Sequence, residues 1–143
     1  MLRVHRIESL DLPELQPYRT MRQQLEHRRQ QIFVAEGEKV VRRLLESRFT
    51  VLSLLLPENW LQILEPSLQA RREEIDVYVA AKEVLEKLTG FSMYQGLLAM
   101  GRIPRLATLQ EVLKSSARPF LLAAADGLTP VQNGRTGAQV ASE

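Results

Sequence analysis

The chain has 143 residues, of which 45% are hydrophobic and 25% charged, a balance that suits a soluble globular protein with a real core. It contains no cysteine, which excludes disulfides and thiolate metal sites, and a net charge of +2 does not by itself imply a nucleic-acid partner. No apolar run approaches the ~18 residues of a membrane span, and the opening "MLRVHRIESLDLPEL" lacks the apolar centre of a signal peptide. The expectation is a cytoplasmic protein with no membrane partner. His5 and His27 stand far apart without ligand spacing, so no metal is expected either.

In chain order, residues 9–18, "SLDLPELQPY", hold two prolines and read as a loop or a short capped turn. "RTMRQQLEHRRQQ" (19–31) is helix-permissive throughout, with a thin stripe of Met21, Leu25 and Arg28. "IFVAEG" (32–37) is a β-prone run ended by a glycine. "EKVVRRLLESR" (38–48) places Val40, Val41, Leu44 and Leu45 on one face of an amphipathic helix, with Arg42 and Arg43 outward. "TVLSLLL" (50–56) is apolar enough for a strand covered on both faces. Pro57 ends it, and the helix that follows must break or restart at Pro66.

"DVYVA" (76–80) is the next strand and "KEVLEKLTG" (82–90) a short helix with Gly90 as its cap. "QGLLAMG" (95–101) is a strand bounded by glycines, "TLQEVLKSS" (108–116) a helix, and "PFLLAAAD" (119–126) a last buried strand. Strands alternating with helices predict an α/β protein with a mostly parallel sheet covered by helices on both faces. The polar stretch 102–118, with Pro104 just inside it and Pro119 just after it, reads as an interdomain linker with one helical stretch.

Three constellations have chemical potential, each beside a plain structural reading. At Glu36-Gly37 a strand runs straight into a helix, whose free N–H groups could face a phosphate; the plainer reading is a tight turn, with Glu36 or Glu38 favourably placed at the helix dipole. Arg19, Arg22, Arg28 and Arg29, with Lys39 further on, could form a basic stripe against an RNA or DNA backbone, Arg22 and Arg29 lying two turns apart. The alternative is a solvated face paired to Glu26. Phe91 and Tyr94 could stack on a base, or Phe91 and Met93 could simply close the core. The sequence shows no Ser/His/Asp set, no phosphate-cradling GxxxxGK and no GxGxxG.

The order of these pieces resembles a known family. "RRQQIFVAEGEKVVRRLLES", "VLSLLL", "VYVAAKEVLEKLTGFSMYQGLLAMGRIP" and "PFLLAAADGLTPVQNG" together look like the SpoU/TrmH RNA methyltransferases, over roughly residues 17–134. The resemblance implies a three-layer α/β/α substrate-binding domain, similar to an RNA-binding ribosomal protein, over 1–101. It implies a linker over 102–118. Over 119–143 it implies the first strand of an incomplete knotted α/β domain that in the full-length family binds S-adenosylmethionine and methylates a ribose 2′-hydroxyl in tRNA or rRNA. On this reading structured RNA is the partner, met through Arg19, Arg22, Arg28, Arg29, Glu36, Gly37 and Lys39.

The family's first catalytic motif, asparagine, any residue, glycine, three residues, arginine, is kept only as Asn133. Gly134 comes one residue early, Gly137 two late, and Arg135 does not fall where the arginine belongs. No catalytic or cofactor-binding residue is therefore expected here, and the chain itself is read as inactive. The family pairs as homodimers through the catalytic domain, so a homodimer of this chain stays open. The contrasting reading is a protein-interaction or orphan α/β domain without RNA affinity.

Overall fold

The computed structural model describes residues 1–21, 23–89, 96–119 and 121–124. The chain divides into two compact units, Met1–Arg105 and Leu106–Glu143.

The first unit is built on a five-stranded sheet. Its strands are β1 (Leu2–Arg6), β2 (Ile32–Glu36), β3 (Val51–Leu56), β4 (Ile75–Val79) and β5 (Leu98–Arg102), in the spatial order β1-β4-β3-β5-β2. β4 pairs in parallel with both β1 and β3, whereas β5 pairs antiparallel with both β3 and β2. The sheet is thus mixed, not mostly parallel as predicted. Strand β1 is an element the sequence reading passed over. Its alternation of Leu2 and Val4 with Arg3 and His5 is short, and apart from half-buried Leu2 its residues are exposed at the sheet edge.

Two cores form because side chains of a strand alternate between faces. On one face Leu54, Leu56, Val77 and Val79 pack beneath α3 (Glu38–Glu46) through Val41, Leu44 and Leu45, and beneath α4 (Glu58–Gln69) through Leu61, Leu64 and Leu68. On the other, Leu55, Tyr78 and Leu98 pack against Leu15, Tyr18 and Leu85, from a 3₁₀ turn (Pro13–Leu15), α1 (Gln16–Arg19) and α5 (Lys82–Thr89). The three-layer α/β/α reading holds for this unit. Pro66 does not break α4. It lies near the helix end on the exposed side, where water can serve the Gln62 carbonyl that loses its partner.

The single helix expected over 19–31 is two helices, α1 and α2 (Gln24–Arg29). At Thr20 both the amide and the hydroxyl return to the Gln16 carbonyl, at 3.0 Å each, and Gln23 N–H donates to the Thr20 carbonyl at 2.8 Å, closing a turn between the helices. The expected stripe is only partly inward, since Met21 alone of its residues packs against the second core. Leu25 is 75% exposed, while Tyr18 and His27 are buried. Tertiary burial of two amphipathic rings outweighs a thin aliphatic stripe. His27 Nε2 meets Thr20 Oγ1 at 3.2 Å, which satisfies its polar edge.

Tyr18 and Ser53 share a hydrogen bond of 2.6 Å inside the second core, and burial pushes the phenol well above its ordinary range. Replacing Tyr18 with phenylalanine leaves the buried Ser53 hydroxyl without its partner, so about 1–2 kcal/mol of stability should be lost in chemical denaturation. The double variant Tyr18→Phe/Ser53→Ala should recover part of that loss, since no orphaned oxygen remains.

The β1 edge is tied to β4 by charge. Arg3 reaches both oxygens of Asp76, at 2.9 and 3.0 Å, and His5 Nε2 meets Asp76 Oδ1 at 2.9 Å while its ring stacks on Tyr78 with centroids 5.1 Å apart. Burial alone would raise the Asp76 pKa, but hydrogen bonds from His5 and Arg3 outweigh it and hold the carboxyl below its ordinary value.

In the second unit, α6 (Leu109–Ser115) opens with a capping box: Thr108 Oγ1 accepts from the Glu111 amide at 3.2 Å, and Glu111 accepts from the Thr108 amide at 2.8 Å. This is the helical stretch expected inside 102–118. The strand expected over 119–126 is not borne out where it can be checked: residues 121–124 carry no strand and are exposed, and Phe120, Ala125 and Asp126 lie outside the described residues. Asn133, with the motif around it, lies outside them too. Among the described residues no helix is long and apolar enough to cross a membrane, and no cluster of His, Asp and Glu could hold a metal ion.

Candidate nucleic-acid interface

Three parallel-running strands, β1, β4 and β3, and the edge strand β2 all finish at one margin of the sheet, with Arg6, Val79, Leu56 and Glu36 as their last residues. At the β2 exit Gly37 is the N-cap of α3, at φ 90° and ψ 159°. Its amide donates to the Leu97 carbonyl at 2.9 Å and its carbonyl accepts from Val41 N–H at 3.0 Å. A Cβ built on Gly37 would meet nothing within 4 Å, so the backbone angle alone demands glycine. No side chain caps this helix, and Glu36 and Lys39 beside its start are exposed. Behind them Glu38 accepts from Arg42 at 2.8 Å, and the Arg42 guanidinium lies 6.0 Å from the Trp60 ring centroid.

The structure brings Glu36, Gly37 and Lys39 together but does not join them to the arginines. Arg28 and Arg29 are exposed near the end of α2, which leads into Ile32 at the start of β2, so a strand of roughly 15 Å separates them from the Gly37 turn. Arg29 lies 3.9 Å from Glu26. Arg19 acts within the fold instead. Its guanidinium donates to the carbonyls of Leu10 and Leu12, at 3.2 Å for the latter, and closes the preceding loop. The break at Thr20 ends the continuous helix on which Arg19 and Arg29 were expected to share one stripe. Arg22, like Phe91, Met93 and Tyr94, lies outside the described residues.

Arg6, Glu58 and Asn59, which no local sequence pattern singles out, gather at the same sheet margin. Nothing in their spacing pairs Arg6 with Glu58. Only the strand order does so, by setting β1 beside β4 and β4 beside β3.

The first unit is a three-layer α/β/α domain with its loops, helix starts and several polar side chains collected at one sheet margin. The chain belongs to the family of MRM3-like substrate binding domains, whose family model matches residues 13–99. The likeness to SpoU/TrmH RNA methyltransferases read from the sequence is borne out, and the chain carries a substrate-binding domain over residues 13–99.

Solved structures share the fold. An AdoMet-bound rRNA methyltransferase from Sinorhizobium meliloti superposes with a TM-score of 0.54 at 19% identity, over 71% of this chain and 37% of that one. A second structure of rRNA methyltransferase from Sinorhizobium meliloti gives 0.53 at 19%, over 73% and 39%. An RNA 2′-O ribose methyltransferase gives 0.56 at 22%, over 72% and 39%. This chain therefore spans less than two-fifths of the length of each. No curated protein matches it.

Proposed function

We propose that this chain is the RNA-recruiting part of a tRNA or rRNA 2′-O-ribose methyltransferase, and that by itself it binds structured RNA without transferring a methyl group. The match of a substrate-binding family to residues 13–99 carries the reading. Support comes from the Gly37 turn, which presents uncapped amides of α3 with exposed Lys39 beside them, a surface suited to a phosphate backbone. Arg28 and Arg29, at the other end of β2, are assigned to separate backbone contacts. Arg22 remains assigned to the interface from the sequence alone, and Arg19 only through the loop it closes.

S-adenosylmethionine belongs, on this reading, to the longer enzymes. Asn133 stands without the arginine of the family's first catalytic motif, so no part in methyl transfer is assigned to the residues around it. Structured RNA is the one partner assigned.

Titrating the chain with bulk tRNA and with rRNA fragments at low and moderate salt tests this. Binding at low salt that weakens steeply as salt rises is expected, because phosphate contacts release counterions. Arg28→Ala/Arg29→Ala/Lys39→Ala should flatten that salt slope by up to about 3, one for each phosphate left without its cation. Absence of binding at low salt would leave the domain as a protein-interaction module.

A further inference from the structure

Strands β3 and β4 are parallel neighbours whose following helices leave toward opposite faces of the sheet. From Leu56 the chain turns through Pro57 into α4, which packs Leu61, Leu64 and Leu68 on one core. From Val79 it turns through Ala80 and Ala81 into α5, which packs Leu85 on the other. Where the two connections diverge, neither covers the gap at the strand ends, and open α/β sheets take their ligands at such a point. The gap is present here as a cavity of about 400 Å³, at the small end of ligand sites. Pro57, Ala80 and Ala81 form its apolar lining, and Arg6, Glu58 and Asn59 its polar one.

The lining selects among ligands. Arg6 Nη2 donates to Glu58 Oε1 at 3.0 Å, so the pair brings no net charge, and a phosphate would be opposed by the Glu58 carboxylate. A purely apolar group would make no use of the Arg6, Glu58 and Asn59 polar atoms that line one side. A flat heterocycle with both donors and acceptors suits all of them. The apolar surface takes a ring face, and the Asn59 amide offers a donor and an acceptor. Glu58 can accept from an exocyclic amine, and the Arg6 guanidinium is a plane on which a base can stack. We propose that this crevice seats one unstacked nucleobase of the RNA strand. The proposal rests on the RNA-binding reading above and adds a base-reading element to a surface otherwise argued from phosphate contacts. Arg6 comes from β1, ahead of the span that the family model matches.

The test is an NMR titration of the isotope-labelled full chain with the four nucleoside monophosphates, against ribose 5-phosphate and inorganic phosphate as controls without a base. The nucleotides should shift the amides of Asn59, Ala80 and Ala81, and the controls should not. Asn59→Ala should weaken that binding about tenfold, the loss of one hydrogen bond. Ala81→Leu, at an exposed position, should abolish it by filling the cavity, with the circular dichroism spectrum unchanged. Equal shifts with ribose 5-phosphate or phosphate would overturn the base seat in favour of an anion site. No shift with any nucleotide, while the chain still retains bulk tRNA, would overturn it and leave the RNA-binding reading standing. Nucleotide shifts without tRNA retention would overturn the seat for an RNA base together with the RNA reading, and leave the crevice a free-nucleotide site.

Discussion

Replacing Arg71 with alanine should cost the first unit about 3 kcal/mol, among the largest losses from any single side chain outside the aliphatic core. Arg71 gathers loose ends. Its Nη1 donates to the carbonyls of Leu45 at 2.5 Å, Ser47 at 3.1 Å and Leu44 at 3.4 Å, and its Nη2 to Phe49 at 2.6 Å. Those carbonyls belong to the end of α3 and the loop into β3, where a helix leaves acceptors without partners of its own. Glu73 holds the guanidinium in place through Nε at 2.8 Å and Nη2 at 2.5 Å, and also accepts from the Val51 amide at 3.1 Å. The Arg71 side chain is only 12% exposed, so water cannot replace what is lost.

The pH dependence follows. Burial would raise the Glu73 pKa, but hydrogen bonds from Arg71 and the Val51 amide outweigh it and bring it to about 2 from 4.5. A depressed carboxyl pKa contributes stability above its unfolded value, and that contribution fades as pH falls from about 4.5 to about 2. Urea denaturation of the parent chain across that window should show this loss, and Arg71→Ala should show less of it. Arg71→Lys keeps the charge but not the planar fork, and should recover under half of the deficit. Equal stability of the parent and Arg71→Ala at neutral pH would refute this account.

Long apolar runs and glycine-ended turns made most of the first unit legible in the sequence. Strand β3 needs no partner to announce itself, since Leu54, Leu55 and Leu56 can only be buried on both faces. Of the α3 face expected from spacing, Val41, Leu44 and Leu45 are inward, while Val40, expected with them, is 52% exposed. The resemblance to a family then supplied a function class that no local motif could. What stayed hidden depends on who sits beside whom. Strand β1 is held by Asp76 and Tyr78, residues over seventy positions away. The antiparallel entry of β5 is a matter of sheet order, to which local patterning is blind. Arg19 and Arg71 look like surface cations in sequence and prove to be clasps on backbone carbonyls. The helix over 19–31 failed because Tyr18 and His27 bury rings there, and propensity counts neither. The crevice of Arg6, Glu58 and Asn59 exists only once β1, β3 and β4 are neighbours.

Gly37 and Gly101 should both resist alanine, for opposite reasons that one experiment separates. At Gly101 a Cβ would stand 2.5 Å from the end of the Phe33 ring, which lies across the β2–β5 pair and meets Phe49 edge to face at 5.9 Å. That obstacle is a side chain, so Phe33→Leu should suppress Gly101→Ala. At Gly37 nothing obstructs a Cβ, and the cost is the backbone itself. The angles of 90° and 159° lie outside the left-handed helical well that asparagine tolerates, in a region open essentially to glycine. Gly37→Ala should therefore lose about 2 kcal/mol by denaturation, Gly37→Asn no less, and truncation of any neighbour should restore nothing. D-alanine introduced at 37 by chemical ligation should restore the parent stability, because its mirror-image preference matches a positive φ. The turn also sets the direction of the first α3 amides, so the L-alanine variant should lose RNA affinity at low salt and the D-alanine variant should keep it. RNA affinity unchanged in Gly37→Ala would remove the turn from the proposed interface and leave Gly37 as a purely structural corner.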